Sequence, residues 1–137
     1  MDVYTDGAYS SAKNLGGVGL VFVKDGEIIY KYSKCIPNTT NNRCELYAVI
    51  KALQALSDGI KELNIYSDSQ YVINSINLGW QRKKNLDLWR TFDRYYEQAK
   101  RFCNNINFKW VKGHNTSVYN NLADKLAVEA YLDYYEG

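Results

Sequence analysis

Four carboxylates stand where a strand or a helix of the predicted chain starts or ends. Two of them close strand-like segments and two open helical runs; they are Asp6, Asp68, Glu45 and Asp124. From such positions a fold can direct side chains from distant parts of the chain to one point. Converging carboxylates repel one another unless cations lie between them, and their hard oxygen atoms favour Mg²⁺ or Mn²⁺. The pattern predicts a divalent-metal site.

Three of the four acids also have a simpler explanation. Asp6 lies in the sequence Thr-Asp-Gly, which is typical of a turn. Glu45 and Asp124 fall near predicted helix starts, where the helix dipole favours an acid in the first turn. Taken singly, these explanations compete with a metal site; taken together, the four acids favour the site.

Polar residues with hydrogen-bonding capacity accompany the acids. Residues 39–42 (TTNN) precede Glu45 and supply more polar groups than one helix cap needs. The surplus suits sugar hydroxyls, base edges or phosphate oxygens. His114, the only histidine of the chain, lies in a polar loop ten residues before Asp124. Its position suits a proton carrier at the edge of an acid cluster.

Periodicity predicts five strands and four helices in one domain spanning residues 1–137. The strands are expected at 1–9, 18–23, 28–32, 62–67 and 107–111, and the helices at about 42–56, 70–77, 86–102 and 120–134. The Asp25-Gly26 pair predicts a hairpin, and Asp58-Gly59 is expected to end the first helix. A strand–helix–strand crossover should return the fourth strand parallel to the first. The expected fold is α/β, a mixed five-stranded sheet with helices on its faces.

Alternation along the strands places Tyr4 and Asp6 on one face of the first strand. By the same rule, Tyr66 and Asp68 share one face of the fourth strand. If these strands are neighbours in the sheet, the two acids lie close together.

The composition is that of a globular protein, with 46% hydrophobic and 23% charged residues. No apolar stretch approaches the roughly 20 residues that span a bilayer, and the first residues lack a signal-peptide pattern. The three cysteines are an odd number without CxxC spacing, which indicates free thiols in a reducing compartment. We expect a cytoplasmic protein without a membrane partner.

Charge is unevenly distributed along the chain. Residues 80–101 hold seven cations against three acids, a net charge of +4, while residues 120–137 hold one against four, or −3. A basic segment can face phosphates, but a solvated helix face is an equally good interpretation.

Six motifs follow one another over essentially the whole chain. They are residues 4–8 (YTDGA), 39–46 (TTNNRCEL), 66–72 (YSDSQYV), 87–89 (DLW), 110–114 (WVKGH) and 120–124 (NNLAD). In this order they resemble the motifs of the type 1 ribonucleases H. The resemblance implies a ribonuclease H-like fold and hydrolysis of the RNA strand of RNA–DNA hybrids. It also implies two Mg²⁺ ions, with Mn²⁺ as a substitute, and products with 5′-phosphate and 3′-hydroxyl ends.

The resemblance further implies a role for each catalytic residue. Asp6 would bridge both ions, and Asp124 would help to hold the ion that generates the attacking hydroxide. Glu45 and Asp68 would hold the ion near the leaving 3′-oxygen. His114 resembles the family's mobile-loop histidine, which assists proton transfer or product release.

Six substrate contacts are implied in the same way. Asn14, Asn41, Asn42 and Gln70 would contact the minor groove of the hybrid, Thr40 a phosphate of the DNA strand, and Asn120 the 2′-hydroxyl near the scissile bond. The implied partner is the hybrid itself, with the enzyme a monomer that needs no other protein.

The chain departs from the family pattern in two places. The basic helical handle of the long bacterial forms is absent, since only residues 81–85 (QRKKN) separate Trp80 from the next helix. The Gly-rich loop after the first strand, residues 10–17, is altered, and Asn14 takes the place of the usual asparagine.

Two other functions stay open at this point. The missing handle would suit a hybrid-binding module, or a nuclease that a partner must help to grip its substrate, because fewer phosphate contacts weaken binding. Integrases, resolvases and some exonucleases share the architecture and the acids. Residues 39–42 and 110–114 favour the hybrid-cutting branch over that group.

Overall fold

The structure, a computed structural model, describes residues 1–55, 59–113 and 117–134. Five strands and four helices lie within these residues. They are β1 (Asp2–Ser10), β2 (Leu15–Lys24), β3 (Glu27–Pro37), α1 (Asn41–Gln54), β4 (Glu62–Ser67), α2 (Gln70–Asn77), α3 (Leu86–Phe102), β5 (Asn105–Trp110) and α4 (Val118–Leu132). The predicted order of elements is confirmed.

The strands form one mixed sheet in the order β3-β2-β1-β4-β5. The first three strands pair antiparallel, while β4 lies parallel to both β1 and β5. The predicted hairpin is present: Asp25 and Gly26 have φ values of 53° and 78°, the positive pair that a type I′ turn requires. Strand β4 runs parallel to β1, as predicted. The two strands are also neighbours in the sheet, which was the condition for Asp6 and Asp68 to meet.

Helices cover both faces of the sheet. On one face α1 buries an apolar stripe in the main core, whose largest buried side chains include Leu46, Leu63, Ile65, Trp89 and Phe92. On the other face α4 packs against β1 and β2 through a smaller cluster around Val21, Val23 and Ala123. Since helices cover both of its faces, β2 is buried at nine of its ten residues.

The predicted loop over residues 10–17 is wrong, because only residues 11–14 form a turn. Gly16 and Gly17 belong to β2; Gly16 faces α1, and Gly17 faces α4. A Cβ atom at Gly16 would lie 2.3 Å from Cys44 Sγ, and one at Gly17 would lie 1.9 Å from the Ala127 carbonyl oxygen. These glycines let helices approach the sheet closely; they do not loosen a loop.

Two helices begin earlier than predicted, and this changes the interpretation of their acids. The Thr40 hydroxyl accepts a hydrogen bond from the Arg43 backbone N–H and starts α1 at Asn41. Glu45 is therefore the fifth residue of α1, and Asp124 is the seventh of α4. Both stand beyond the first turn, so the helix-dipole explanation of these acids is wrong.

The other element boundaries agree with the prediction or differ by a few residues. Helices α2 and α3 and strand β4 match it, while β2 and β3 are longer and β5 is shifted toward the amino terminus. The expected end of α1 at Leu56 and the turn at Asp58 lie outside the described residues. Residues 78–85 join α2 to α3 without a helix, so the basic handle is absent there. Among the described helices, none is long and apolar enough to span a membrane.

Candidate active site

All four predicted acids line one cavity of about 390 Å³, which lies beside the middle of β1 and the carboxyl end of β4. The strand register explains how two of them meet. Tyr4 pairs with Tyr66, and their rings stack with centroids 4.6 Å apart. Two residues after each tyrosine the chain reaches Asp6, within β1, and Asp68, directly after the end of β4. Alternation along an extended chain places each acid on the same face as its tyrosine.

Glu45 joins these two acids from α1. The Gly7 backbone N–H donates hydrogen bonds to Asp6 Oδ1 and to Glu45 Oε1. A Cβ atom at Gly7 would lie 2.5 Å from the Glu45 nitrogen, so only glycine lets α1 approach β1 this closely. As a result one carboxylate oxygen each from Asp6, Glu45 and Asp68 lies within 4.8 Å of the other two.

Asp124 approaches Asp6 from α4, on the other side of the cavity. It is not one of the three acids whose oxygen atoms lie within 4.8 Å of one another. It does interact with Asp6, since both a hydrogen bond and charge repulsion from Asp124 raise the Asp6 pKa. Asp6 thus lies between Asp124 and the pair formed by Glu45 and Asp68.

Burial and repulsion strongly perturb the two innermost acids. Asp6 is 5% exposed and Glu45 is 3% exposed. Burial, followed by repulsion from Asp68 and Asp124, raises the pKa of Asp6 to about 8, although its hydrogen bond with Glu45 opposes the shift. Burial and the neighbouring Asp6 likewise raise the pKa of Glu45 well above its usual range. Divalent cations would relieve this repulsion, and the all-oxygen donor set fits Mg²⁺ or Mn²⁺.

Four of the six predicted substrate contacts line the same cavity. Asn41 and Asn42 are the exposed first residues of α1, and Gln70 is the exposed first residue of α2. Asn120 lies on α4 and is only 3% exposed. Amide groups, which both donate and accept hydrogen bonds, therefore surround the carboxylates.

The remaining predicted residues lie elsewhere. The Thr40 side chain caps α1, and Asn14 bonds to the Tyr9 hydroxyl and to Asn38 at 3.1 and 2.9 Å. Neither of them lines the cavity.

His114 falls outside the described residues. The described chain before it ends at Gly113, where a Cβ atom would lie 3.1 Å from Asp68 Oδ2.

Ser69 and Tyr71 line the cavity but were not predicted. The Ser69 hydroxyl caps α2 by accepting from the Val72 N–H at 3.2 Å. The Tyr71 hydroxyl accepts hydrogen bonds from Trp89 Nε1 at 3.0 Å and from Asn85 Nδ2 at 3.2 Å. Both flank Gln70 in the sequence, so the signal that could have found them was their place at the same helix start.

Comparison with known proteins agrees with this fold. The family model for RNase H matches residues 1–131. A ribonuclease H of Caldanaerobacter subterraneus subsp. tengcongensis is 41% identical over 143 residues, covering 94% of this chain and 89% of that relative. A ribonuclease H of Prosthecochloris aestuarii is 38% identical over 142 residues, covering 93% and 92%.

Solved structures are similar as well. The crystal structure of RNase H1 from the halophilic archaeon Halobacterium salinarum NRC-1 has a TM-score of 0.80 at 31% identity, covering 97% of this chain and 98% of that one. LC11-RNase H1, solved in complex with an RNA/DNA hybrid, has a TM-score of 0.77 at 26% identity and 96% coverage of each chain. The mixed sheet, with Asp6 in β1 and Asp68 directly after β4, has a fold of the ribonuclease H-like class. Within that class, the chain belongs to the ribonuclease H family of enzymes.

Proposed function

We propose that this protein is a single-domain endoribonuclease that hydrolyses the RNA strand of RNA–DNA hybrids. The products would carry 5′-phosphate and 3′-hydroxyl ends. The observation that carries the proposal is the convergence of Asp6, Glu45 and Asp68, with oxygen atoms within 4.8 Å of one another, beside a rim of amide groups. A hybrid bound to LC11-RNase H1, a relative of the same fold, supports this substrate. We expect the protein to act as a monomer in the cytoplasm.

The four acids would hold two Mg²⁺ ions, for which Mn²⁺ could substitute. When bound, such ions supply an activated water nucleophile and stabilise the charge that develops on the leaving oxygen. Asp6 suits a position shared by both ions, because it interacts with Asp124 on one side and with Glu45 and Asp68 on the other. Asp124 would then serve the side of the nucleophile, and Glu45 and Asp68 the side of the leaving 3′-oxygen.

Residues of the chain itself would keep this arrangement in place and move protons. The Gly7 N–H, which bonds to both Asp6 and Glu45, fixes two of the ligands before any ion binds. His114 would carry a proton to or from the reacting groups, which suits the only histidine of the chain.

Four amide side chains line the cavity beside the acids and are called the amide rim: Asn41, Asn42, Gln70 and Asn120. Selection of the hybrid would come from this rim. Asn41, Asn42 and Gln70 can donate to and accept from the edges of bases and sugars in the minor groove. Asn120, buried beside the acids, would contact the 2′-hydroxyl, the group that distinguishes RNA from DNA at a given position. Asn14 and Thr40 lie outside the cavity and would contact the more distant part of a long duplex.

A comparison of substrates tests the proposal. We expect the protein in Mg²⁺ to cut the RNA strand of a hybrid at least ~100-fold faster than duplex DNA, because a hydrogen-bonding site rejects an analogue that lacks the partner group, here the 2′-hydroxyl. Duplex RNA and single-stranded RNA should also be cut more slowly than the hybrid, because neither pairs an RNA strand with a DNA strand. The measurement is the initial rate on each end-labelled strand, with the product ends identified. Comparable cutting of duplex DNA would favour an integrase-like activity, and binding without cleavage would favour a binding module.

A further inference from the structure

Residues 78–85 join α2 to α3 and form the α2–α3 loop. This loop lies where the long bacterial forms carry the basic handle. It contains three consecutive cations, Arg82, Lys83 and Lys84. A short exposed loop has no core of its own to fix its shape. Two sets of contacts nevertheless fasten this one to the rest of the molecule.

The first set binds Arg82 to α3. Its guanidinium lies 4.2 Å from the centre of the Trp89 ring, and its Nη1 donates to both carboxylate oxygens of Asp93 at 2.8 Å. Stacking and charge-assisted hydrogen bonds are the strongest contacts that arginine makes. Arg82 is therefore already paired within the protein. Lys83 and Lys84 are the two loop cations that can still bind a phosphate.

The second set fastens the end of the loop to the cavity. Asn85 has a positive φ of 59°, accepts from Arg43 Nη1 at 3.3 Å, and donates to the Tyr71 hydroxyl at 3.2 Å. Arginine has only donors, so its contact fixes which end of the Asn85 amide faces Tyr71. Tyr71 lines the cavity, and Arg43 directly follows Asn42 of the amide rim. The loop therefore ends at the rim of the proposed active site.

Most cations of residues 80–101 have no ion pair among the described residues. Each of the three acids in residues 80–101 is already paired: Asp87 with Arg43, Asp93 with Arg82, and Glu97 with Lys100. Among the described residues, the structure has no ion pair for the other cations of the segment, which are Lys83, Lys84, Arg90, Arg94 and Arg101. Lys83 and Lys84 are both exposed and directly precede Asn85, which makes them the cations of this group closest in sequence to the rim.

We propose that Lys83 and Lys84 bind phosphates of the hybrid and that Arg82 is a positioning residue that holds them at the rim. The proposal rests on the hybrid being the substrate. Charge complementarity and continuity with the cavity identify a phosphate backbone as the occupant. A loop fixed in advance loses less conformational freedom on binding, so two lysines can do part of the work of a longer handle.

The salt dependence of hybrid binding tests the role of the lysines. Binding is measured in EDTA, so that no strand is cut, across a series of salt concentrations. We expect the Lys83→Ala/Lys84→Ala protein to bind the hybrid about 10-fold more weakly at low salt, with a log–log salt slope smaller by about 1–2, since each phosphate contact contributes about 0.9. The matched control, Arg94→Ala/Arg101→Ala, removes the same charge further along α3 and should keep the slope of the unaltered protein. Equal slopes in both double variants would overturn the proposal.

A charge-preserving substitution tests the role of Arg82. Lysine cannot reproduce the planar fork or the ring stacking of arginine. The Arg82→Lys protein should therefore bind the hybrid several-fold more weakly, although its net charge is unchanged. The change should appear as a higher KM with kcat unaltered. Asp93→Asn weakens the same clamp from α3, and should have the same effect if Arg82→Lys does not fold. Unaltered KM in a folded variant would deny Arg82 a positioning role.

The two proposals fail in different ways. If the unaltered protein does not cut a hybrid in Mg²⁺, the proposed function is wrong. If it cuts the hybrid but the lysine double variant keeps the salt slope, only the role of the α2–α3 loop is wrong.

Discussion

Replacing Asp6 with asparagine is expected to reduce cleavage of a hybrid by at least about 1000-fold in Mg²⁺. Asp6 interacts with Asp124 on one side and with Glu45 and Asp68 on the other, so its loss affects both halves of the acid site. Asparagine has almost the same shape, which preserves the packing but removes the negative charge. A factor of 1000 corresponds to about 4 kcal/mol of lost transition-state stabilisation, the scale expected for a metal ligand.

The measurement is the steady-state rate on a hybrid whose RNA strand is labelled, at saturating substrate. Asp133→Asn is the matched control, because it removes the same charge from the exposed end of α4. The control should retain its rate within about twofold, as is usual for a remote surface substitution. An Asp6→Asn protein with full activity would show that the acid cluster does not perform the chemistry.

The metal-free protein is expected to lose stability as the pH rises from about 4 to about 8. In the folded state the pKa of Asp6 is raised from 3.8 to about 8, mainly by burial. Between these values the folded chain holds a proton that the unfolded chain has released. The free energy of unfolding therefore falls as the pH rises through this window, and the raised pKa of Glu45 acts in the same direction. The expected loss is on the order of a few kcal/mol.

Urea unfolding in EDTA at several pH values measures this effect. Other groups titrate as well, so the informative quantity is the difference between the unaltered protein and Asp6→Asn, whose stability should depend less on pH. At pH 8 a divalent cation should stabilise the unaltered protein, since it binds the ionised folded state and not the unfolded chain. Parallel pH curves for the two proteins, with no response to Mg²⁺, would contradict the expectation.

The sequence predicted the sheet and the meeting of Asp6 with Asp68 because both follow from local rules. Alternation in β1 and β4 fixed which side chains share a face, and the handedness of the crossover made the two strands parallel neighbours. The Asp25-Gly26 turn set the first hairpin. These signals lie within short segments, so no knowledge of distant contacts was needed.

Features that depend on distant contacts were not predictable in the same way. Gly16 and Gly17 resemble a loop locally, yet they lie in β2 and pair with β1. They are glycines because Cys44 and Ala127 leave no space for a Cβ atom. The place of Glu45 is fixed by Gly7, 38 residues away.

The basic residues 82–84 also depend on distant contacts that the sequence does not reveal. Nothing in residues 82–84 indicates that Arg82 pairs with Asp93 and stacks on Trp89, while its two neighbours stay unpaired within the described part of the chain. The sequence predicts a charged run, but only the packing of α3 against the loop separates a structural cation from those free to bind phosphate.

The four carboxylates are proposed to hold the catalytic ions, and anomalous diffraction from crystals with Mn²⁺ and a hybrid is the sharpest test of that role. We predict two manganese peaks in the cavity, one among the oxygen atoms of Asp6, Glu45 and Asp68 and one between Asp6 and Asp124. A cavity without manganese at saturating concentration, or peaks only outside it, would contradict the claim.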